Sequence, residues 1–592
     1  MNKKLIATIC IALLAAITLI TTKILQNNGI SIQASAVYTI IMSAILLALC
    51  LLKTSTRNKL QHICCNVDWA EATSKFYNSI PETYRKSFWI SFGLINVAFL
   101  FHTINFMWGG DDWGAVRYAT KLKDGLSEGR FSAYWLQEVL FNGKILPVIN
   151  NLWSFAGLAL AGILLAYYWK LPKKTSTYVI TTLFFAVTPY TLSWLYYAKN
   201  TLGNLWLPAF VLSSLILSEK KSDNINKSYF YNIISILLCI IALGTYLPIV
   251  SFITIAIIGK IIINLTTSEK TFVQTLQELT QSFSNLLASF MLFVFIITIL
   301  QEKNIMASAY NTQLETLFAI FAKIPQMLYS MIEQLVLPMP FLDITYKIFY
   351  IIFILTALFT IIFKCNTPKN ALTSILLLVL ALVCTKLTYL FSIQSLNNPT
   401  YVARIDFYSI PLFYTLMLSI ILKLSDKTQY KYTFIFAILI VFMSFVRVAY
   451  AQKVWKFGWD AETKLVERII TRLEKMPEFN INKQYKLIQI GEQSLRKNYY
   501  IKRNNEYQSN ELLNSAYYKE GKGKEAYNFY YQTDFIKEDA SDQAFKEPQI
   551  KNYLLRNARA WPAKESLAII NDYIIIILNE DRLSQIRATL NN

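Results

Sequence analysis

Residues 88–113 read FWISFGLINVAFLFHTINFMWGGDDW, an apolar run that ends directly at two tryptophans, two glycines and two acids. The apolar part is close to the ~20 residues that a helix needs to cross ~30 Å of hydrocarbon. Acids beside a membrane span are costly to bury, so they are usually either solvated loop residues or functional groups. The stretch therefore predicts a membrane-spanning helix followed by a loop in which Asp111 and Asp112 need an explanation.

The composition of the whole chain agrees with a membrane protein. Of its 592 residues, 54% are hydrophobic and 16% are charged, whereas soluble globular proteins carry about 25% charged residues. The formal net charge of +20 could suggest nucleic acid. The basic residues lie mostly in short loops between apolar runs, which is typical of topology determinants. The composition therefore predicts a polytopic α-helical membrane protein.

Apolar runs of membrane-spanning length recur along the chain, and they predict about thirteen transmembrane helices. The runs cover residues 4–24, 35–52, 88–107, 148–169, 176–198, 201–217, 229–246, 247–264, 283–300, 346–363, 371–391, 404–422 and 431–450. The first run could be a signal peptide, but it lacks a good small-residue cleavage site and a second span follows it. We interpret it as an uncleaved first helix.

The distribution of lysine and arginine predicts the orientation of these spans. Basic residues concentrate in every second loop, which the positive-inside rule places in the cytoplasm together with the N-terminus. The basic loops are 53–87, 170–174, 220–227, 364–369 and 423–431. Long loops at 108–147 and 301–345 are then extracytoplasmic. The chain divides into a transmembrane domain, residues 1–450, and an outer domain, residues 451–592.

The first outer loop contains a helical pattern. Phe131, Trp135 and Val139 recur at helical spacing, while Gln137 faces elsewhere. This pattern predicts an amphipathic helix lying on the membrane surface.

The outer domain shows both helical and strand patterns. Asp460 can cap a helix with a buried leucine and isoleucine stripe. Lys486–Ile490 is typical of a strand, and 566–570 and 573–578 predict a hairpin with a two-residue turn. The expected fold of this region is a small α/β domain.

Asp111 and Asp112 admit a structural and a functional interpretation. Asp112 could cap a helix beginning at Trp113, where its oxygen would accept backbone N–H bonds. One cap does not need two carboxylates. The flanking tryptophans suit the face of a sugar ring, although tryptophan is also common at membrane interfaces.

Several short motifs, taken in order, resemble the Gtr-type bacterial O-antigen glucosyltransferases, which are polytopic membrane enzymes of the GT-C class. The motifs are Asp111–Asp112–Trp113, Gly129–Arg130, Asn150–Asn151–Leu152, Gly244–Thr245–Tyr246, Arg404, Trp455–Asp460, Ile488–Gly491 and Trp561–Pro562–Ala563–Lys564. The resemblance implies transfer of a hexose, glucose above all, from a polyprenyl-phosphate donor to a lipid-linked or cell-surface glycan such as the O-antigen of lipopolysaccharide. It implies inversion at the sugar and a location in the bacterial inner membrane.

The resemblance also implies roles for individual residues. Asp111 or Asp112 would be the general base that takes the acceptor proton, and Asp111 is favoured because Asp112 is better placed to cap a helix. Cationic groups would stabilise the departing phosphate. The candidates for substrate binding are Arg404 for the phosphate, then Lys386, Arg117 and Arg130, with Trp108, Trp113 and Tyr246 as aromatic neighbours.

Each of these cations and aromatics also has a structural interpretation. Lys386 could snorkel to the interface, and Arg404 could anchor a span there. Arg130 could pair with Glu128, and Tyr246 is more typical of a packing aromatic.

No cofactor and no metal is expected. The pair Cys64–Cys65 with His62 fits no common zinc spacing. Glu302, Glu315, Glu333 and Asp343 in the second outer loop are other possible acids. Some GT-C enzymes use divalent ions, but this sequence has no ligand cluster that demands one, so metal-independent transfer is the prediction.

Two other function classes remain open. A transporter or flippase for a lipid-linked saccharide would suit many spans with scattered cations, although the chain shows no internal repeat. A glycan polymerase or ligase would lack the early pair of acids and the terminal domain. The large outer region and the acidic first loop favour the transferase.

Overall fold

A computed structural model describes most of the chain after residue 68. The described residues are 69–109, 112, 119–220, 225–268, 270–306, 324–336, 344–387, 403–491 and 534–591, with Lys524 and residues 527–529. The predicted spans at 4–24 and 35–52 lie outside the described residues, as does the pair Cys64–Cys65.

The described part is mainly helical up to residue 474. The helices there are α1 (Trp69–Ser79), α2 (Glu82–Ala98), α3 (Leu100–Ile104), α4 (Leu122–Glu128), α5 (Phe131–Phe141), α6 (Pro147–Tyr168), α7 (Thr175–Ala186), α8 (Pro189–Leu195), α9 (Ala198–Asn204), α10 (Leu207–Ser218), α11 (Ile225–Leu243), α12 (Ile249–Thr267), α13 (Phe272–Glu278), α14 (Thr280–Glu302), α15 (Ile324–Val336), α16 (Ile344–Lys364), α17 (Pro368–Cys384), α18 (Ala403–Asp406), α19 (Ile410–Leu424) and α20 (Lys427–Glu474).

Membrane-spanning helices form the larger part of this fold. Within the described residues, seven helices are long and apolar enough to cross a membrane, and a bent pair could be an eighth. The structure therefore does not confirm the predicted number of about thirteen. Helices α17 and α19 are apolar but shorter, with 17 and 15 residues.

The bent pair corrects one predicted span. The run 176–198 forms two helices, α7 and α8, that meet at 61°. Pro189 is the first residue of α8, and Thr188 before it is extended. A proline disfavours helical backbone at the residue before it and has no N–H to donate. The apolar run predicted one continuous span, because the prediction took no account of the bend that this single proline causes.

Helix α5 has the predicted position, and small and polar residues form its buried face. Its buried residues are Ser132, Ala133, Tyr134 and Gln137, whereas Leu140 is 44% exposed. The Gln137 Nε2 donates to the carbonyl of Lys144 at 2.6 Å. Small and polar residues thus make the contacts with neighbouring helices, as is common for helices whose apolar side chains are solvated by lipid.

Helix α20 joins the membrane region to the C-terminal region without interruption. It has 48 residues, which corresponds to about 72 Å at 1.5 Å per residue. Asp460 lies inside this helix, where it pairs with Lys456 one turn earlier, so the prediction that Asp460 caps a new helix was wrong. Trp459 packs against both the membrane core and the C-terminal core.

The C-terminal region contains a four-stranded sheet. Its strands are β1 (Tyr485–Ile490), β2 (Ile536–Asp539), β3 (Leu567–Ile570) and β4 (Tyr573–Ile577), in the order β2–β1–β4–β3. Strand β1 is parallel to β2 and β4, while β3 and β4 form the predicted antiparallel hairpin. The hairpin turn includes Asn571, whose φ is 55°.

The sheet is covered on both faces because side chains alternate along each strand. Leu487, Ile574 and Ile576 pack on one face against the outer end of α20. Ile575 and Ile577 pack on the other face. The helices α21 (Pro548–Arg556) and α22 (Glu580–Asn591) contribute their apolar residues to that second core.

Candidate functional site

Asp112 is completely buried and holds the loop that follows α3 against a helix that is distant in the sequence. Its Oδ2 accepts hydrogen bonds from the N–H of Gly109 at 3.0 Å and of Ala198 at 3.1 Å. Its Oδ1 accepts one from the N–H of Lys199 at 3.0 Å. The donors of Ala198 and Lys199 belong to the first turn of α9, which has no partner for them within its own helix. Asp112 is therefore a helix cap supplied from another part of the chain.

This arrangement revises the structural interpretation of Asp112. The sequence predicted a cap for a helix beginning at Trp113, which lies outside the described residues; among the described residues, both oxygens bind Gly109 and the start of α9. Burial raises the pKa of Asp112 to about 6, and the hydrogen bonds from Lys199, Gly109 and Ala198 act in the opposite direction. The ionised form is the one that the positive end of a helix favours.

The contact between the Asp112 loop and the start of α9 also requires a glycine at position 109. A Cβ atom placed on Gly109 would lie 1.5 Å from the carbonyl oxygen of Tyr196, two residues before α9. A backbone atom cannot move aside as a flexible side chain can. The loop can therefore reach α9 only with glycine at this position.

A Gly109→Ala variant should lose folded protein and at least ~10-fold in activity, because one or two kcal/mol is already a large part of protein stability. Gly93→Ala is the matched control, since a Cβ on Gly93 meets nothing within 4 Å. That substitution should be neutral or should stabilise α2 by up to ~1 kcal/mol. Thermal unfolding and activity assays of both variants measure the difference. Equal behaviour of the two variants would contradict the tight contact.

Trp108 connects the acidic loop to the C-terminal region. It packs against the C-terminal core together with Trp459 and Trp561. Arg472 holds the Trp561 segment, with its guanidinium 4.2 Å from the centre of the Trp561 ring and a 2.9 Å bond to the carbonyl of Ala563. The tryptophan predicted to contact a sugar thus has a packing partner in the other region of the chain.

A group of aromatic side chains lies at the other end of α9. We call Trp194, Tyr246 and Tyr408 the aromatic cluster; their ring centres are 5.1 to 5.9 Å apart. The guanidinium of Arg130 lies 5.3 Å from the centre of the Tyr246 ring. Tyr246 is 8% exposed, so its surroundings agree with the packing role that its residue type favours.

Hydrogen bonds join the segments that carry Arg130, Tyr246 and Tyr408. The N–H of Ser132, at the start of α5, donates to the carbonyl of Gly244 at 3.0 Å. The hydroxyl of Tyr408 donates to the carbonyl and side-chain oxygens of Asn204 at 3.1 and 3.2 Å. Asn204 ends α9 and Asp112 caps its start. The two ends of this seven-residue helix lie about 10 Å apart at 1.5 Å per residue.

Two polar groups at this cluster can still form hydrogen bonds with a ligand. The indole N–H of Trp194 is buried and has no hydrogen-bond partner among the described residues. The Arg130 guanidinium pairs with Glu128 at 3.4 Å and remains about one third exposed. A buried N–H donor and a partly exposed cation beside aromatic rings can bind the oxygens of a sugar or a phosphate.

Lys386 belongs to a second, charged group. Its Nζ lies 3.0 Å from Asp406 Oδ1, and the two side chains are 1% and 0% exposed. Snorkelling would have left the ammonium at the interface, so that interpretation of Lys386 does not fit its burial. Asp406 ends α18, two residues before Tyr408, and α18 packs against α8, the helix of Trp194. The charged group and the aromatic cluster are therefore adjacent.

The described residues cover only part of the predicted site. Asp111, Trp113 and Arg117 lie outside them, and for Arg404 only the backbone, within α18, is described. Arg130 and Tyr246 come together, as do Lys386 and the segment of Arg404. Sequence reasoning missed Trp194, Tyr408, Asn204 and Asp406. Asp406 had a usable signal, because an acid beside an apolar helix is itself a functional hypothesis.

Comparison with known protein families identifies the chain. Residues 100–413, just over half of its length, match the family described as glucosyl transferase GtrII. The chain belongs to the glucosyl transferase GtrII family. No curated protein and no solved structure matches it.

Membership of the glucosyl transferase GtrII family establishes the general activity. The protein is a membrane glucosyltransferase, and its substrates are a sugar donor and an acceptor. The matched segment contains the acidic loop, the aromatic cluster and the charged group. The C-terminal sheet lies beyond the match, so its part in the reaction must be argued from its contacts alone.

Metal binding was predicted to be unnecessary. Among the described residues, no three His, Cys, Asp or Glu side chains gather in a way that could hold a metal ion. Metal-independent transfer stays a prediction.

Proposed function

We propose that this protein transfers glucose from a polyprenyl-phosphate donor to a lipid-linked or cell-surface glycan, such as O-antigen. The reaction would take place on the outer face of the bacterial inner membrane, by a GT-C type mechanism with inversion. The observation that carries the proposal is the short helix α9. Asp112 binds its first turn, and Tyr408 of the aromatic cluster binds its last residue.

This arrangement fits a single displacement. The acceptor hydroxyl oxygen forms a bond to the anomeric carbon while the bond from that carbon to the phosphate oxygen breaks. The base takes the hydroxyl proton, and the electron pair leaves with the polyprenyl phosphate. Helix α9, about 10 Å long at 1.5 Å per residue, lies between Asp112 and the Tyr408 hydroxyl, which leaves room for a sugar ring between the acidic loop and the aromatic cluster.

The residues have separable roles in this proposal. Asp111 is the general base, because Asp112 is buried and already accepts three backbone hydrogen bonds. Arg130 lies over Tyr246 and, with the N–H of Trp194, binds oxygens of the donor. Lys386 and Arg404 balance the negative charge that develops on the departing phosphate.

The outer location rests on the distribution of charge. The loops predicted to be cytoplasmic carry most of the loop lysines and arginines, which places the loop of Asp111 on the opposite side. The large polar C-terminal region then faces the same compartment as that loop, which agrees with the packing of Trp108 against it.

The test uses purified full-length protein in liposomes with polyprenyl-phosphate [14C]glucose and a lipid-linked glycan. We expect labelled glycan and free polyprenyl phosphate in equal amounts, with no transfer from a nucleotide-linked glucose. Transfer from the nucleotide sugar alone would contradict the donor assignment. Movement of the lipid-linked saccharide between leaflets without a new glycosidic bond would instead identify a flippase.

A further inference from the structure

The turn between α4 and α5 brings an acid and an arginine together. Helix α4 ends at Glu128, Gly129 is left-handed with a φ of 70°, and Arg130 precedes the first residue of α5. Glycine adopts this conformation without steric cost, which is why it often follows the end of a helix. The N–H of Arg130 donates to the carbonyl of Gly125 at 2.7 Å and closes the turn. The two charged residues therefore start from a defined backbone geometry.

Glu128 has a partner on each of its two carboxylate oxygens. Its Oε1 accepts a hydrogen bond from the hydroxyl of Tyr134 at 3.0 Å, and its Oε2 lies 3.4 Å from Nη1 of Arg130. Tyr134 is buried. Burial raises the pKa of Tyr134 above its ordinary value and the Glu128 carboxylate raises it further, so the hydroxyl keeps its proton and donates. The buried tyrosine thus anchors Glu128, and Glu128 in turn holds Arg130.

The stability of the fold does not explain this acid. Glu128 is the last residue of α4, where the negative end of the helix dipole disfavours a carboxylate. The side chains of Arg130 and Glu128 are 33% and 16% exposed, and ion pairs in contact with solvent contribute little to stability. The main effect of Glu128 is therefore on the position of the guanidinium.

That position is beside the aromatic cluster. The guanidinium of Arg130 lies 5.3 Å from the centre of the Tyr246 ring, so the ring and the Glu128 carboxylate define its place between them. Ordering a long, flexible side chain such as arginine costs conformational entropy. When the protein itself has already ordered the side chain, that cost is not added to the binding of a ligand.

We propose that Glu128, anchored by Tyr134, is a positioning residue that holds the Arg130 guanidinium ready to bind the glucosyl donor. This inference rests on the proposed function, in which Arg130 binds oxygens of the donor. Glu128 acts through Arg130 and makes no contact with substrate. Its negative charge also weakens the attraction of Arg130 for an anion. The two effects have opposite signs, and in this proposal positioning is the larger.

The first variant is Glu128→Gln, which keeps the size of the side chain and leaves one acceptor oxygen where the carboxylate has two. We expect the KM for the donor to rise ~10-fold, equivalent to about 1.4 kcal/mol, with kcat and the unfolding temperature little changed. Glu128→Asp, which keeps the charge, should recover part of the loss. A lower KM in Glu128→Gln would show that charge outweighs positioning, and would overturn the proposal.

A second acid–arginine pair supplies the matched control. Glu580 lies 3.8 Å from Arg587 within α22 and is about half exposed. Glu580→Gln removes the same charge from the same kind of pair outside the turn of Arg130. We expect it to leave the KM for the donor unchanged. An equal rise in KM in both variants would mean that the effect is not specific to Glu128.

Tyr134→Phe tests the anchor with less disturbance. Phenylalanine keeps the ring, which packs closely against Gly125 of α4, and removes only the hydroxyl. We expect the KM for the donor to rise roughly 3-fold, as for the loss of one hydrogen bond. Wild-type KM values in both Tyr134→Phe and Glu128→Gln would refute the positioning role.

A double variant shows whether Glu128 acts through Arg130. Arg130→Ala should raise the KM for the donor, and adding Glu128→Gln should change it no further, because residues that act as a unit are not additive. A further ~10-fold rise in the double variant, or a wild-type KM in Arg130→Ala, would overturn the inference. If wild type transfers no glucose from polyprenyl-phosphate glucose, the proposed function fails and this inference with it. If wild type does so and only Arg130→Ala is impaired, the role of Glu128 alone fails.

Discussion

An Asp111→Asn variant should transfer glucose at least ~100-fold more slowly than wild type, since a general base typically contributes a factor of 10²–10⁴. Asparagine keeps the size of the side chain but cannot take the acceptor proton. The loop should keep its place, because the contacts that hold it are made by Gly109 and Asp112. Steady-state transfer assays and thermal unfolding of the same preparation measure the two effects separately.

Asp112→Asn is the matched comparison for the base. An amide presents one acceptor oxygen instead of two, so the bonds to Gly109, Ala198 and Lys199 cannot all be kept. A buried donor without its partner costs about 1–3 kcal/mol. We therefore expect Asp112→Asn to lower the unfolding temperature and Asp111→Asn to leave it unchanged. Full turnover in Asp111→Asn, with lost turnover and unchanged stability in Asp112→Asn, would transfer the role of base to Asp112.

Replacing Asp406 should produce the largest loss of stability among these variants. Asp406→Asn leaves Lys386 buried without the carboxylate that pairs with it at 3.0 Å. Breaking a buried ion pair by removing one partner costs about 3–5 kcal/mol. Thermal unfolding in detergent, followed by the amount of monodisperse protein, measures the shift.

An exposed pair provides the reference for Asp406. Glu82 and Lys86 are 2.7 Å apart one turn from each other in α2, and both side chains are more than 60% exposed. Such pairs contribute about 0–1 kcal/mol, so Glu82→Gln should change the unfolding temperature little. Similar shifts in the two variants would mean that the Asp406 carboxylate is not needed to hold the fold.

Local patterns of the sequence predicted individual elements well. The strand at Tyr485–Ile490 and the hairpin of β3 and β4 follow from alternating apolar residues and from turn residues at Asn571 and Asp572. The boundary between the apolar runs 229–246 and 247–264 falls between α11 and α12, close to where it was predicted. These features depend on neighbours within a few residues, so a single sequence carries them.

Two long elements show where local patterns fail. The run 176–198 contains one proline that bends it by 61°. The opposite occurs at α20, where Gly458 and Asp460 suggest an interruption but the helix continues. Trp459 packs against the cores on both sides of this point. That packing outweighs the cost of about 1 kcal/mol for a glycine inside a helix.

The amino-acid sequence alone was enough to predict a membrane protein of this family and to select the acidic loop, Arg130 and Lys386. It was not enough to predict what those residues touch. Asp112 caps a helix that starts 86 residues later along the chain, and Lys386 pairs with Asp406 on a separate segment. Burial makes these contacts strong, and burial arises only when separate segments pack together. The pair of acids is therefore a sequence feature, whereas the structural role of Asp112, which leaves Asp111 as the candidate base, is decided by the tertiary structure.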